Sequence, residues 1–534
     1  MATATVQKTF GAYYTDERVA RTIVGWAVRK PGDCVLDPSC GEGVFLSAAS
    51  ERLRDVGSSA PEIWGIDIDD GAIKAAKAQA TGSSVVKADF FSLRAGDLPF
   101  FDAVVGNPPF IRYQSFNGTC RASALACARE AGVELPQLSS SWAPFLVHAV
   151  GFLKKGGRLG MVVPVELGHA RYARQVLHFL LRKFGRIQVR MFREKLFPEL
   201  SEDTALLLCE EFENPCSWLS VAILKNIEEG EAERSIEHPV DIEAIRTGKV
   251  KLNHYLLSPW ARQLYEDLAK KKNVAALGTG ADIGIGYVTG HNDFFHLSSE
   301  ECRRWRIPKS FLRPAVLSLA GATGAVIRET DWRDQALKGN KCYLFHIPAG
   351  AEKTLPYGVL EYLKYGSTLG VPEKFKCRVR EVWYSVPHVR VADAFLSYMS
   401  GQVPRLVANG ARLVAPNTLH LVRFEKGWNA WSFISGWCSS LTKLSCELEG
   451  HALGGGMLKL EPSEAEEVMV ALPFPGETKQ LAREVDALIR RGEEEASTDL
   501  IDRHVLRRRL GLSATECLLL REAAGEMHKW RMHK

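Results

Sequence analysis

Over the first 225 residues, short apolar runs alternate with stretches of helical spacing. Val35-Leu36-Asp37 closes the first run, and Val44 to Leu53 then carries its apolar side chains at helical intervals. Ile63 to Asp67 predicts a second strand, followed by a helix over Gly71 to Ala80. Ser84 to Asp89 predicts a third strand and Phe101 to Val105 a fourth. Ala143 to Leu153 is helical, Gly157 to Pro164 a fifth strand, and Ala170 to Lys183 a further helix. This rhythm predicts an α/β fold: a doubly wound, mainly parallel, Rossmann-like sheet with helices on both faces.

The texture changes across residues 226–250. Glu228, Glu229, Glu231, Glu233, Glu237, Asp241 and Glu243 gather there without strong periodicity. The stretch reads as a linker or boundary, with an acidic surface helix as an equal alternative. From 251 to 476 strands are short, loops long, and Gly and Pro frequent, which indicates a separate mixed domain. Residues 477–534 turn helical again, with charged runs such as Arg507-Arg508-Arg509.

The chain has 534 residues, of which 46% are hydrophobic and 25% charged, so an ordinary core is expected. A net charge of +5 is too small to argue for nucleic acid by itself. The 12 cysteines form no CxxC pair and no Cys/His cluster at zinc spacing, so reduced thiols in a cytoplasmic protein are expected, with no metal. The N-terminus lacks a basic segment followed by an apolar core, and no apolar run reaches the roughly 18–20 residues of a membrane span.

Asp37-Pro38-Ser39-Cys40-Gly41-Glu42-Gly43 follows a strand and opens a helix. Gly41 and Gly43 let the backbone turn sharply and come close to a ligand, with the helix N-terminus facing the same crevice. Asp67 ends the next strand, where a carboxylate accepts both hydroxyls of a ribose; Asp69 can share that role. Asp89 ends the third, placed to accept from an adenine amine, with Phe90 beside it to cover the ring. Helix capping is the competing reading for any one of these aspartates, but three on one sheet edge define a nucleoside site. The loop carries neither the NAD fingerprint nor a P-loop.

Asn107-Pro108-Pro109-Phe110 ends the fourth strand on the same edge. The amino nitrogen of adenine is a weak nucleophile because its lone pair is delocalised into the ring. Two acceptors that engage both amino hydrogens favour a tetrahedral nitrogen and localise the pair. The Asn107 side-chain carbonyl and the Pro108 backbone carbonyl supply them, and the prolines stiffen the loop. Phe110 offers a flat face to the base. An amine inside duplex DNA cannot reach such a pocket, so the base must be flipped out.

With these parts in this order, the chain resembles the gamma class of amino-methylating DNA methyltransferases, the adenine-modifying enzymes of bacterial restriction–modification systems. The resemblance implies S-adenosylmethionine as cofactor, with Asn107 bordering it as well as the base. It implies that Gly11 to Thr15, through Tyr14 and Thr15, folds over the methionine part of the cofactor. It also makes Phe197, within Lys195-Leu196-Phe197-Pro198, a second aromatic wall for the flipped adenine, with a core phenylalanine as the alternative. The ribose position, often Glu in relatives, is Asp67 here.

The second half would then read double-stranded DNA. Gly284 to Phe295, with Thr289, Gly290 and Asn292, is similar to the G-x-x-T-G-x-N-x-x-F segment of the family's recognition domains. Lys374, Lys376, Arg378 and Arg380 alternate along the chain; on a strand, period two puts all four on one face, suited to phosphates. A solvated strand face is the alternative. A separate restriction endonuclease is a possible partner, and an N-terminal nuclease is not expected. Competing functions are methylation of cytosine-N4, of an rRNA base or of a protein glutamine, or a DNA-binding scaffold with a vestigial site.

Overall fold

The computed structural model describes residues 15–111, 116, 118–168, 170, 172–197, 203–228, 237–248, 250–348, 350, 354–453 and 455–532. The chain forms two compact units, the first running to Leu256 and the second from Leu257 to Met532.

The first unit is built on a nine-stranded sheet. Helix α1 (Glu17–Ala27) is capped by Asp16, whose carboxylate accepts from Arg18 N at 2.8 Å. Then follow β1 (Cys34–Asp37), α2 (Val44–Asp55), β2 (Glu62–Asp67), α3 (Asp70–Gln79), β3 (Ser84–Lys87) and β4 (Phe101–Gly106). Next come α4 (Gly118–Glu130), α5 (Trp142–Val150), β5 (Leu153–Pro164), α6 (Ala173–Lys183), β6 (Phe184–Phe192), β7 (Thr204–Phe212) and β8 (Trp218–Leu224). Strand β9 (Glu237–Pro239) and the short helix α7 (Ile242–Arg246) close the unit.

The spatial order is β3-β2-β1-β4-β5-β7-β6-β8-β9. Strands β3, β2, β1, β4 and β5 run parallel, whereas β7 is antiparallel to both of its neighbours. The chain winds outward from β1 to β3, then returns to β4 on the other side of β1. That reversal opens a crevice at the carboxyl ends of β1 and β4, where sheets of this kind hold ligands. The expected doubly wound, mainly parallel α/β sheet is therefore present, with every early element within a few residues of its predicted bounds.

The described part of 226–250 belongs to the first unit. Strand β9 pairs antiparallel with β8, Ser220 opposite Pro239, and Asp241 caps α7 through Glu243 N and Ala244 N. Val240 and Ile245 are buried there; the few apolar side chains of this acidic stretch are unevenly spaced and give no readable period. Residues 477–532 are largely helical, as expected, and belong to the second unit. Helix Thr478–Arg490 is fastened by Arg490, which pairs with Asp331 at 2.8 Å and Asp486 at 2.9 Å. The long helix Ala514–Met532 is fastened by Arg531, paired with the buried Glu447 at 2.8 Å.

The second unit holds a five-stranded sheet ordered Ala281–Ile285, Leu419–Phe424, Ala394–Ser397, Leu406–Asn409 and Val326–Ile327. Smaller two- and three-stranded sheets and helices surround it, so the unit is mixed as expected. One apolar cluster gathers Tyr287, Phe294, Phe295, Phe345 and Tyr362, and another centres on Phe395, Leu413 and Leu421. No helix among the described residues is long and apolar enough to cross a membrane.

Gly160 in β5 lies under α1, and a Cβ there would stand 2.6 Å from Ile23 Cγ2. Gly160→Ala is expected to destabilise the first unit by about 1–3 kcal/mol, the usual cost of overpacking. Gly284→Ala meets nothing within 4 Å and should leave stability nearly unchanged. Urea unfolding of the two variants checks the contrast.

Candidate active site

The parallel register of β1 and β4 pairs Val35 with Ala103 and Leu36 with Val104, so both strands deliver their next residues to the same edge. Asp37 ends β1 at 1% exposure. Its Oδ1 accepts from Ser39 N at 3.1 Å, while Oδ2 is buried without a partner. Burial pushes this carboxyl up to about 8; the Ser39 amide opposes the shift and the nearby Asp67 charge adds to it. Gly106 is required here for space: a Cβ would lie 2.7 Å from Asp37 Oδ1.

The glycine loop then turns back over the sheet edge. Gly41 and Gly43 both have positive φ, +50° and +98°, and Gly43 is the left-handed N-cap of α2. Asp67, at the end of β2, accepts from Gly41 N at 2.9 Å and, with its other oxygen, from Asp69 N at 2.9 Å. Each carboxylate oxygen keeps a second lone pair, so the group can accept further donors. Asp69 is exposed and caps α3 through Ala72 N at 2.8 Å, which accounts for it as a helix start. Pro38 is buried between Asp37 and this loop.

Asn107 follows β4 directly. Its side-chain Nδ2 donates to Thr15 Oγ1 at 3.2 Å, and its Oδ1 is buried with no partner. Thr15, 8% exposed, thereby fixes which way the amide faces. The sequence pointed to a cofactor lid at Thr15, but not to this bond. Tyr14 lies outside the described residues. Pro108 is buried, Phe110 is 6% exposed, and Ser39 Oγ donates to the Asn107 carbonyl at 3.2 Å. Ser141 joins the same loop, bonding Pro109 O and Ile111 N. No motif singles it out, because a serine before an apolar helix reads only as an N-cap.

Asp89 lies beyond β3, and its Oδ1 accepts from Phe91 N at 3.0 Å. Phe90, expected to cover the adenine ring, packs into the core on the side that the structure describes. It is 5% exposed, and its ring packs on His148 at 4.6 Å, Phe145 at 4.9 Å and Phe152 at 5.1 Å. Its ring lies in the seam between the 3-10 turn Phe90–Ser92 and α5, where ring-on-ring packing joins the two. Phe197 is 2% exposed, so its ring is enclosed by protein.

In the second unit the cationic stripe takes a different form. Residues Phe375–Arg378 make a short helix, not a strand, so Lys374, Lys376, Arg378 and Arg380 do not share a face. The alternation misleads because Phe375 and Val379 are both 63% exposed, and only Cys377 is buried. Lys376 and Arg380, four apart, do converge. With His388, Arg390 and Arg423 they line a cavity of about 490 Å³ beside Gly284, Gly286 and Val288. Arg380 is braced there by Val288 O at 2.6 Å. His388 holds a φ of +60°, uncommon for a residue with a side chain. Thr289 is 2% exposed and donates to Asn292 Oδ1 at 2.6 Å, so it shapes the loop while Asn292 is exposed.

Residues 1–167 match the N-6 DNA methylase family, and residues 249–506 match the C-terminal domain of the type II methyltransferase M.Eco57I. The type II methyltransferase M.AccI of Acinetobacter calcoaceticus is 20% identical over 78% of this chain and 76% of its own. The type IIL restriction-modification enzyme MmeI, solved in complex with DNA, shares the fold at a TM-score of 0.55 and 12% identity, over 96% of this chain and 75% of that one. The type IIG restriction endonuclease BpuSI matches at a TM-score of 0.45 and 15% identity, and the chain spans 66% of its length. With one family model on each unit, the chain belongs to the DNA methyltransferases of restriction–modification systems.

Proposed function

We propose that the protein moves a methyl group from S-adenosylmethionine to the exocyclic amine of an adenine flipped out of duplex DNA, at a specific sequence. The observation that carries this reading is Asn107 Oδ1, a buried acceptor without a partner on an amide oriented by Thr15. A buried carbonyl left open costs free energy, so an incoming donor that fills it is strongly favoured. The amino hydrogens of adenine are such donors.

When bound, S-adenosylmethionine supplies an electrophilic methyl on a sulfonium. The residues present fit it: the Asp37 carboxyl, ionised by the neighbouring positive charge, would meet its ammonium through the open Oδ2, and the Asp67 carboxylate suits its ribose. Asn107 Oδ1 and the Pro108 carbonyl hold the two amine hydrogens, which localises the nitrogen lone pair. Phe110, and Phe197 once its surroundings open, supply apolar walls that exclude water. Catalysis is then mainly alignment of nitrogen with methyl, and no covalent adduct with the base is needed. Lys376, Arg380, His388 and Arg390 would contact DNA phosphates, and Asn292 would reach the duplex nearby. A separate restriction endonuclease of the same recognition sequence would be its functional partner.

Asn107→Ala should lower methyl transfer on the order of 10²- to 10³-fold, the scale for loss of one preorganised transition-state partner. Counting label transferred from S-adenosylmethionine to DNA, RNA and protein in parallel checks it; label in RNA or protein alone would sink the reading. Lys376→Ala should weaken binding to all DNA sequences about equally and flatten the salt slope by about 0.9. Fluorescence anisotropy across a salt series measures both.

The Asp37 carboxyl predicts a pH effect as well. Raised to about 8, it keeps a proton in the folded state that the unfolded chain releases near pH 4. The contribution of Asp37 to the stability of the ligand-free protein should therefore be full below about pH 4, decline between about pH 4 and 8, and then level off. Asp37→Asn should flatten that decline in thermal melts.

A further inference from the structure

Pro108 and Pro109 have no amide hydrogen, so the catalytic segment cannot be anchored by donors at its centre. It is held through the carbonyls on either side. Ser39 Oγ donates to the Asn107 carbonyl at 3.2 Å. Ser141 Oγ donates to the Pro109 carbonyl and accepts from Ile111 N at 2.8 Å; its own amide donates to Ile111 O at 3.1 Å. No hydrogen bond from a described residue reaches the Pro108 carbonyl.

Ser141 stands at the N-cap of α5, yet its hydroxyl makes no capping bond. An N-cap serine ordinarily accepts from the helix's own first-turn amides. Here the hydroxyl faces the proline loop, at 1% exposure. The following residue prevents Ser141 from moving with that loop. Trp142 Nε1 donates to Tyr172 OH at 2.9 Å and to Glu166 Oε2 at 3.3 Å, and Tyr172 OH donates to Glu166 Oε2 at 2.7 Å. The start of α5 is thus tied to the segment after β5.

We infer that Ser141 and Ser39 are positioning residues that aim the Pro108 carbonyl. The inference rests on the reading of the tetrapeptide as an amine clamp. Ser39 fixes the peptide plane before Pro108, and Ser141 fixes the plane after Pro109. The rings lock both proline φ angles, leaving only two ψ torsions between the held planes. The Pro108 carbonyl therefore has no independent rotation, and it stays in a fixed relation to Asn107 Oδ1. Ser39 also belongs to the cofactor loop, so it ties the aim of the clamp to that loop.

The test compares wild type with Ser141→Ala, Ser39→Ala and the double variant, using labelled S-adenosylmethionine and unmethylated genomic DNA. Ser141→Ala should lower kcat about 10- to 100-fold, the effect of a reacting group displaced by about an ångström. The dissociation constant for S-adenosylmethionine and the KM for DNA should stay within about twofold, because ground-state contacts persist. The double variant should lose less than the product of the single effects, since both serines act on one carbonyl. A Ser141→Ala enzyme with unchanged kcat, or one whose only change is a lower melting temperature, overturns the inference. Hydrogen exchange of the Ile111 amide reads the clamp apart from activity: it should quicken in Ser141→Ala, and unchanged protection also overturns the inference. A wild type that binds S-adenosylmethionine but labels no DNA overturns the functional reading instead.

Discussion

The site depends on the pairing of β1 with β4. Two strands separated by more than 60 residues lie side by side, in parallel and in register, so that one carboxylate and one carboxamide emerge at the same edge. Gly106 makes the pairing possible at its last step, because any side chain there would displace the Asp37 carboxylate. The glycine loop, the proline loop and the hydroxyls around them all hang from this pair of strand ends.

What those strand ends present is costly to the folded chain. Asp37 keeps one oxygen, and Asn107 its side-chain oxygen, buried and unsatisfied. Elsewhere a fold would pair such groups or expose them. Here the surroundings are assembled to keep them open: Thr15 takes the amide nitrogen but not the oxygen, and Ser39 N takes one Asp37 oxygen but not the other. Unsatisfied acceptors in a preorganised frame are what a ligand rich in donors can stabilise.

Much of this was legible in the chain. Asp37, Asp67 and Asn107 announced themselves because strand ends, glycine turns and paired prolines leave local signatures. Ser141 did not, since its partners are 30 and 32 residues away and its local setting suggested only a helix start. The packing of Phe90 on α5 was not legible, because an aromatic beside a strand end serves a core or a ligand equally well. The Lys374–Arg380 alternation suggested a strand, but a helical turn with exposed Phe375 and Val379 won. Such short segments are decided by tertiary packing. The acidic stretch hid β9 for a related reason: its pairing is with β8, and its own composition says nothing of it.

Strand β9 also bears on how the first unit behaves in a crowded solution. Among the described residues it is a three-residue border carrying Glu237 and Pro239, and the opposite border, β3, has four residues and ends on Lys87. Proline withholds a donor, and charges repel a flat neighbour, so neither rim offers a template for another chain's backbone. A nine-stranded sheet with long open rims would invite such growth. These clipped, charged margins end it at nine.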